Sequence, residues 1–167
     1  MHNDLTKKDL ELMRKELDER RTVLRPQLLE QVKIARVFGD LSENFEYKAA
    51  KQEKNRNESR IRYLENMIRT AHVIGEDAPG GGIGLYDKVT VFLPDEGEHE
   101  TYQIVTTMRQ NALKGLISRE SPVGKALLGK KAGDTVRIQV DERFGYDMII
   151  ESVEKGSDDG SVPLNRF

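Results

Sequence analysis

Apolar side chains recur at helical spacing through the first 74 residues of the chain. In the first half of this stretch they lie three, four or seven positions apart. In the second half the alternation of three and four is stricter and forms a heptad seam with two polar members. The pattern predicts two long helices with facing seams. The seam positions are Leu10, Met13, Leu17, Leu24, Leu28, Ala35 and Phe38, then Tyr47, Ala50, Lys54, Asn57, Ile61, Leu64, Ile68 and Ala71.

Two features interrupt this helical pattern. Pro26 lacks a backbone N–H and its ring clashes with the preceding turn, so we expect a kink or a break near Thr22–Pro26. Gly39 is a good helix stop, and Asp40 or Ser42 is a good helix start. Two facing helices joined by a short loop form an antiparallel hairpin. The sequence therefore predicts a coiled-coil hairpin over residues 1–75, about 50 Å long, with an acidic tip at residues 39–44.

The pattern changes after the glycine-rich residues 76–84, which are predicted to be a linker. Alternation with a period of two predicts strands, and Ser121-Pro122 begins one short helix that ends before Gly129. The fold class is thus α+β, with a helical hairpin followed by a small, mainly antiparallel β domain. The polar C-terminal residues are predicted to be a flexible tail. The predicted strands are 88–94, 100–107, 134–140 and 146–153, the β domain is 85–155 and the tail is 156–167.

Composition narrows the possible functions. The chain has no cysteine, and its three histidines lack the spacing of zinc ligands, so we expect no thiolate or zinc site. No apolar run approaches the roughly 20 residues that span a bilayer, and the charged N-terminus does not resemble a signal peptide. We therefore expect a cytoplasmic protein. Residues 1–74 carry a net charge of +3 and residues 75–167 a net charge of −5, which suggests different partners for the two parts.

The residues around the predicted tip carry a specific motif. Residues 39–47 read Gly-Asp-Leu-Ser-Glu-Asn-Phe-Glu-Tyr, and this stretch resembles the GreA/GreB family of bacterial transcript-cleavage factors. Further matches hold in order and spacing over roughly residues 5–153. They are Arg25-Pro26, Arg60-Ile61, Leu64-Glu65 and residues 71–74 in the first part, and residues 101–105, 117–118, 121–122, 126–131 and 133–134 in the second.

This resemblance implies a function on bacterial RNA polymerase. In the family, the C-terminal domain has an FKBP-like fold and docks on the β′ subunit at the rim of the secondary channel; Ser121 and Pro122 would lie near that surface. The hairpin enters the channel and helps to hold the second Mg²⁺ and the attacking water, so that the polymerase cleaves backtracked RNA near its 3′ end. The resemblance implies a monomeric elongation factor, no enzyme by itself, with no cofactor of its own and no membrane partner.

The two acids of the tip suit this role. Two-metal phosphodiester hydrolysis requires both ions to be held against the reacting oxygens, and Mg²⁺ prefers oxygen ligands. By the resemblance, Asp40 would help to coordinate the metal, and Glu43 would orient the water or accept its proton. The same Asp40-x-x-Glu43 spacing is also typical of a helix capping box. The two interpretations are compatible, because a cap can position a carboxylate.

Basic side chains near the tip form a second candidate site. An electrostatic groove that leads RNA to the acids needs such residues on one face. The alternative is a solvated face with ion pairs four residues apart, such as Glu58 with Arg62 and Glu65 with Arg69. Lys54 has a further alternative, since it can pair with Glu58 or Glu30. The predicted RNA-binding residues are Lys33, Arg36, Lys48, Lys51, Lys54 and Arg56, and Arg60 belongs to the same group of cations.

Phe45 departs from the family pattern, which usually has a small residue at this position. It is expected either to pack under the tip loop or to change the fit in the channel. Two other functions remain open. One is a Gre-like inhibitor that blocks the secondary channel, although such inhibitors carry a more heavily acidic tip. The other is a prolyl isomerase that uses an aromatic-lined pocket in the second domain.

Overall fold

The computed structural model describes residues 3–37 and 44–166. These residues divide into two compact units. The first contains Asn3 and residues Leu10–His72, and the second contains residues Asp4–Asp9 and Val73–Arg166. Within the described ranges, no helix has the length and apolar character needed to cross a membrane. Asp40 and Glu43, the predicted metal ligands, lie outside the described residues.

The first unit is helical. Helix α1 spans Lys7–Glu19, α2 spans Arg25–Val37 and α3 spans Phe45–Arg69. A π-helical turn over Arg20–Leu24 joins α1 to α2, and the Arg25 N–H donates to the Arg20 carbonyl five residues earlier. This wider turn directly precedes Pro26, which has no N–H to donate to the carbonyl four residues back. The predicted irregularity near Pro26 is therefore confirmed, and it takes the form of a π-helical turn.

The heptad seam is confirmed by burial. Ile61 and Leu64 of α3 are buried, as is the polar seam member Asn57, whereas most positions between seam residues are exposed. On the other helical arm of the hairpin, Leu28 and Ala35 of α2 are buried. Full burial of a leucine or isoleucine side chain contributes about 1.5–3 kcal/mol. The apolar seam therefore holds the two helical arms together as the sequence pattern predicts.

The second unit is built on a five-stranded sheet, which follows a separate pair of short strands, β1 Asn3–Leu5 and β2 Ala71–Val73. The strands of the sheet are β3 Lys88–Leu93, β4 Glu98–Val105, β5 Leu116–Ser118, β6 Thr135–Gln139 and β7 Gly145–Glu154, and the helix of this unit is α4 Pro122–Leu127. All four predicted strands and the predicted helix are confirmed. The strand order is β5-β4-β3-β7-β6, and the sheet is mixed, because the short strand β5 runs parallel to β4 while the other neighbours are antiparallel.

One face of the sheet forms the core of the second unit. Val89, Val91 and Leu93 alternate with more exposed residues along β3, which places them on one face of the strand. Leu127 of α4 is fully buried in the same cluster. Close approach of α4 requires glycine at position 124, because a Cβ there would lie 2.0 Å from the Ser118 carbonyl oxygen. The arrangement confirms the α+β fold class.

The C-terminal segment, predicted to be a flexible tail, forms hydrogen bonds within the second unit. The backbone N–H of Asn165 donates to the Met108 carbonyl at 2.7 Å, and the Arg109 Nε donates to the Val162 carbonyl at 2.9 Å. Asp158 is almost fully buried and pairs with Arg109. These contacts satisfy the Arg109 side chain, because a buried guanidinium requires hydrogen-bond partners and this segment supplies them.

Candidate functional site

Asn44 organises the described end of the hairpin. It is the N-cap of α3, and its side-chain oxygen accepts a hydrogen bond from the Tyr47 N–H at 3.0 Å. Its side-chain nitrogen donates to the Ala35 carbonyl of α2 at 2.6 Å. Asn44 is only 8% exposed. One side chain thus starts α3 and ties it to the last turns of α2.

This geometry bears on the capping alternative for the two acids. Sequence reasoning placed the start of the second helix at Asp40 or Ser42, whereas α3 begins at Phe45 with Asn44 as its cap. Asp40 and Glu43 therefore do not form the capping box of α3. Their own placement lies outside the described residues, so their role as metal ligands stays a prediction.

Tyr47 anchors Arg36 next to the tip. The Tyr47 hydroxyl accepts a hydrogen bond from Arg36 Nη2 at 3.3 Å, and the guanidinium carbon lies 5.4 Å from the centre of the ring. This hydrogen bond lowers the pKa of the Tyr47 hydroxyl from its ordinary value. Tyr47 is half-buried, as its seam position predicts. Arg36, a predicted RNA-binding residue, is thus fixed beside the tip through a tyrosine.

The other predicted RNA-binding residues fall into two groups. Lys33, Lys48 and Lys51 are exposed, and none of them forms an ion pair with the described part of the chain. Lys54 is half-buried in the seam, and Arg56 pairs with Glu53 at 3.2 Å. The charges of Lys33, Lys48 and Lys51 are therefore the ones available to a partner in this structure.

Two predicted ion pairs along α3 are replaced by pairs across the hairpin. Glu58 accepts two hydrogen bonds from Arg25, at 2.8 and 3.0 Å, and Glu65 pairs with Arg21. The Arg25 hydrogen bonds hold the pKa of the Glu58 carboxyl below its ordinary value. The predicted partner Arg62 bonds to Ser59 instead. The forked geometry of arginine favours such two-point pairing with a carboxylate on the facing helix.

A polar network in the middle of the hairpin was not predicted. Arg60 donates to Glu16 at 2.7 and 3.2 Å, and Arg20 donates to Glu16 at 2.8 Å. Arg20 also donates to the Asn57 side-chain oxygen at 2.8 Å. Arg60 is only 4% exposed, so it is not available to RNA. The polar residue Asn57 in the seam was the one signal in the sequence that pointed to this network.

The network makes the stability of the hairpin depend on pH. Burial alone raises the pKa of Glu16, but hydrogen bonds from Arg60 and Arg20 outweigh it and hold the pKa below its ordinary value. A carboxyl group of this kind stabilises the fold above its unfolded-state pKa, and this contribution is lost as pH falls through the folded-state pKa. We expect Glu16→Gln to cost about 1–2 kcal/mol at pH 7 and to weaken the loss of stability on acidification. Urea unfolding followed by helical circular dichroism at several pH values measures both effects.

Glu53→Gln is the matched control for this prediction, because Glu53 pairs with Arg56 at an exposed position of the same hairpin. An exposed pair contributes between about 0 and 1 kcal/mol. Equal losses of stability for the two variants at pH 7 would contradict a specific role for the Glu16 network.

The predicted docking residues of the second unit lie at the start of α4. Ser121 caps this helix, because its hydroxyl accepts a hydrogen bond from the Gly124 N–H at 3.0 Å and donates to the Ser118 carbonyl at 2.7 Å. Pro122 follows at the first helical position and is exposed. The structure therefore gives Ser121 a local role, and contact with polymerase stays a prediction.

Two cavities of the second unit bear on the prolyl isomerase alternative. They have volumes of about 280 and 210 Å³. Tyr86 is the sole aromatic residue among the described residues that line them. Phe144 and Tyr146 contact each other with ring centres 6.4 Å apart. The lining of these two cavities thus does not favour the isomerase alternative.

Comparison with known proteins identifies the family. A model of the N-terminal domain of the GreA/GreB transcription elongation factors matches residues 3–73, and a model of their C-terminal domain matches residues 78–155. The chain belongs to the GreA/GreB family. This result confirms the resemblance carried by the tip motif. The segment 156–166 that packs around Arg109 lies beyond the part that the family models match.

Individual relatives agree with this assignment. Transcription elongation factor GreA of Geobacillus kaustophilus is 45% identical over 151 residues, which cover 89% of this chain and 93% of the relative. GreA of Staphylococcus saprophyticus is 47% identical over 135 residues, which cover 80% and 85%. Among solved structures, GreA factor homolog 1 of Thermus thermophilus is 29% identical with a TM-score of 0.43, and the match covers 93% of this chain and 100% of that one. The two family models and the two GreA relatives together show that membership in the GreA/GreB family extends over both units.

Proposed function

We propose that this GreA/GreB-family protein is a monomeric transcript-cleavage factor of bacterial RNA polymerase. Its hairpin enters the secondary channel, and its sheet unit docks on the β′ subunit. There it stimulates cleavage of backtracked RNA near the 3′ end by the polymerase, so that an arrested complex resumes synthesis. Family membership of both units supports this proposal, and so do curated relatives that carry the name of transcription elongation factor.

The structural observation that carries the proposal is the cap at Asn44. Asn44 both begins α3 and binds the Ala35 carbonyl of α2, so the N-cap residue of α3 is neither Asp40 nor Glu43. Six residues join Val37 to Asn44, and both acids are among them. Because neither acid is the N-cap residue of α3, both carboxylates are candidates for binding an external ligand.

The chemistry of the two acids fits a magnesium ion held mainly by another protein. Carboxylate oxygens are ligands that Mg²⁺ prefers, but two side chains do not complete its octahedral shell. In the proposal Asp40 contributes an oxygen to the ion, and Glu43 accepts a hydrogen bond from the attacking water and draws away its proton. The bound ion supplies charge stabilisation to the attacking and leaving oxygens.

The exposed cations on the hairpin supply a path for the RNA. Lys33, Lys48 and Lys51 are the residues that this role suits best, because their charges are not neutralised by the described residues. Phosphate contacts from lysine are electrostatic and do not depend on sequence. Arg36 adds a positive charge at a fixed position beside Tyr47.

A cleavage assay on a stalled elongation complex tests the proposed function. RNA labelled at its 5′ end and held in a backtracked polymerase is incubated with Mg²⁺ and the purified protein. We expect the RNA to lose its 3′ end only when both proteins are present. The protein alone should leave the RNA intact. No stimulation at saturating protein, together with slow nucleotide addition by complexes that are not backtracked, would instead indicate the inhibitor function.

A further inference from the structure

Phe45 is the first residue of α3, and 79% of it is exposed. The residue before it, Asn44, is buried as the helix cap, so the backbone at this point is fixed while the ring faces solvent. Packing under the tip loop is therefore not the role of this side chain. An isolated exposed apolar residue needs no explanation by itself, so its surroundings decide what it does.

Lys48 lies next to the exposed ring, and a second lysine follows it along the helix. The Lys48 ammonium, one turn further along α3, is 5.7 Å from the centre of the Phe45 ring. Lys51 follows on the next turn, and it too is exposed and lacks an ion pair within the described residues. An exposed aromatic ring beside one cation, with a further cation along the same helix, is a combination by which proteins hold single-stranded nucleic acid, since the ring stacks on a base and the cations contact phosphates.

Covalent connectivity keeps this ring near the proposed catalytic acids. Phe45 follows Glu43 by two residues, and two residues of chain span at most about 7 Å. An RNA segment brought to the carboxylates therefore passes within reach of the ring. Its bases are unpaired in a backtracked complex, so their faces are available for stacking.

We propose that Phe45 is a stacking platform for a nucleobase of the extruded RNA and that Lys48 contacts the neighbouring phosphate. This inference rests on the proposed cleavage function. It assigns Phe45 a positioning role, because the ring holds the RNA and takes no part in proton transfer or metal binding. A stacked base restrains the RNA beside the acids and lowers the concentration of factor needed for cleavage.

Three substitutions at one position test the stacking role. The measurement is the concentration of protein that gives half-maximal cleavage. We expect Phe45→Ala and Phe45→Leu to raise it by about fivefold or more, which corresponds to a single base–aromatic contact, and Phe45→Trp to keep it near the wild-type value. Leu29→Ala is the control, because Leu29 is an exposed apolar residue of α2, and we expect no change. If Phe45→Leu behaves as wild type while Phe45→Ala is impaired, the contact is an apolar one with polymerase and the proposal is wrong.

A second experiment uses RNA whose extruded nucleotides lack their bases. With this RNA we expect the difference between wild type and Phe45→Leu to shrink to less than about twofold, because neither protein has a base to stack on. A difference that persists would overturn the proposal. Equal activity of all Phe45 variants on ordinary RNA would overturn it as well.

Crosslinking separates this inference from the proposed function. A photoreactive 4-thiouridine at the extruded 3′ end should crosslink to wild-type protein and lose most of that crosslink with Phe45→Leu. Wild-type protein that crosslinks in this way but stimulates no cleavage rejects the proposed function and retains the stacking. Protein that stimulates cleavage without a crosslink that depends on Phe45 rejects the stacking alone.

Discussion

We expect Asp40→Asn and Glu43→Gln each to lower the rate of stimulated RNA cleavage by at least about 100-fold, while binding to polymerase stays within about twofold of wild type. The substitutions keep the size of the side chain and remove its charge. Loss of a positioned acid–base group typically costs between about 10² and 10⁴ in rate, and an amide is a weaker ligand for Mg²⁺ than a carboxylate. Single-turnover cleavage of backtracked RNA measures the rate, and competition with labelled wild-type protein measures binding.

Glu53→Gln is the control for these two variants. It is the same isosteric change at an exposed position of α3, where the carboxylate pairs only with Arg56 three residues later in the described structure. We expect its cleavage rate to equal that of wild type. Cleavage at the wild-type rate by Asp40→Asn, or an equal loss of binding and of cleavage, would contradict the proposed role of the acids.

We expect Arg109→Met to destabilise the second unit by roughly 3–5 kcal/mol, the cost of leaving a buried charge without its partner. The Arg109 side chain is fully buried, and its guanidinium binds Asp158 at 2.7 Å and Asp9 at 3.1 Å. It also lies 5.1 Å from the centre of the Tyr86 ring. Burial alone lowers the pKa of Arg109, but the bonds to Asp158 and Asp9 outweigh it and raise the pKa. Urea unfolding followed by circular dichroism of the whole protein measures the loss.

Arg137→Met serves as the comparison for the buried site, since Arg137 pairs with Asp147 where both side chains are more than half exposed. That change should cost no more than about 1 kcal/mol. Removing all three buried charges together, with Arg109→Met, Asp9→Asn and Asp158→Asn, should be less destabilising than Arg109→Met alone. Equal costs for Arg109→Met and Arg137→Met would show that the buried cluster does not stabilise the unit.

The hairpin was predictable because its apolar residues recur at a regular helical spacing along the sequence. Each of the seam residues from Tyr47 to Ala71 is less exposed than most of its neighbours, since a heptad pattern specifies which face of a helix is buried. Strands β3, β4, β6 and β7 were predictable for the same reason, because their apolar residues alternate. Strand β5 has three residues, too few to show a period, and its parallel pairing with β4 made the sheet mixed.

Pairings between distant residues were not predictable. The segment 156–166 is rich in glycine, aspartate and serine, which is typical of a flexible tail, and nothing local shows that Asp158 meets Arg109 in the core. Near the N-terminus, Thr6-x-x-Asp9 is a capping-box signature that sequence reasoning missed; the two residues exchange hydrogen bonds of 2.9 and 3.1 Å. For the same reason, the sequence did not show that Glu58 and Glu65 pair with Arg25 and Arg21, which are more than 30 residues away along the chain.

At the candidate site, the sequence motif was enough to identify the candidate residues, but only the structure showed which residue caps α3. Asp40, Ser42 and Asn44 are all good N-cap residues, so propensity alone did not decide where α3 begins. The tertiary contact from Asn44 to Ala35 decided it. The exposure of Phe45 follows from that choice of cap, because it makes Phe45 the first residue of the helix.

The dependence of cleavage on Mg²⁺ concentration tests the central claim most directly. If the hairpin adds carboxylate ligands to an ion in the polymerase, wild-type protein should lower the Mg²⁺ concentration at which cleavage of backtracked RNA is half-maximal, relative to polymerase alone. Asp40→Asn, added at a saturating concentration, should leave that concentration where polymerase alone has it. A faster reaction with wild-type protein at an unchanged half-maximal Mg²⁺ concentration would contradict the account.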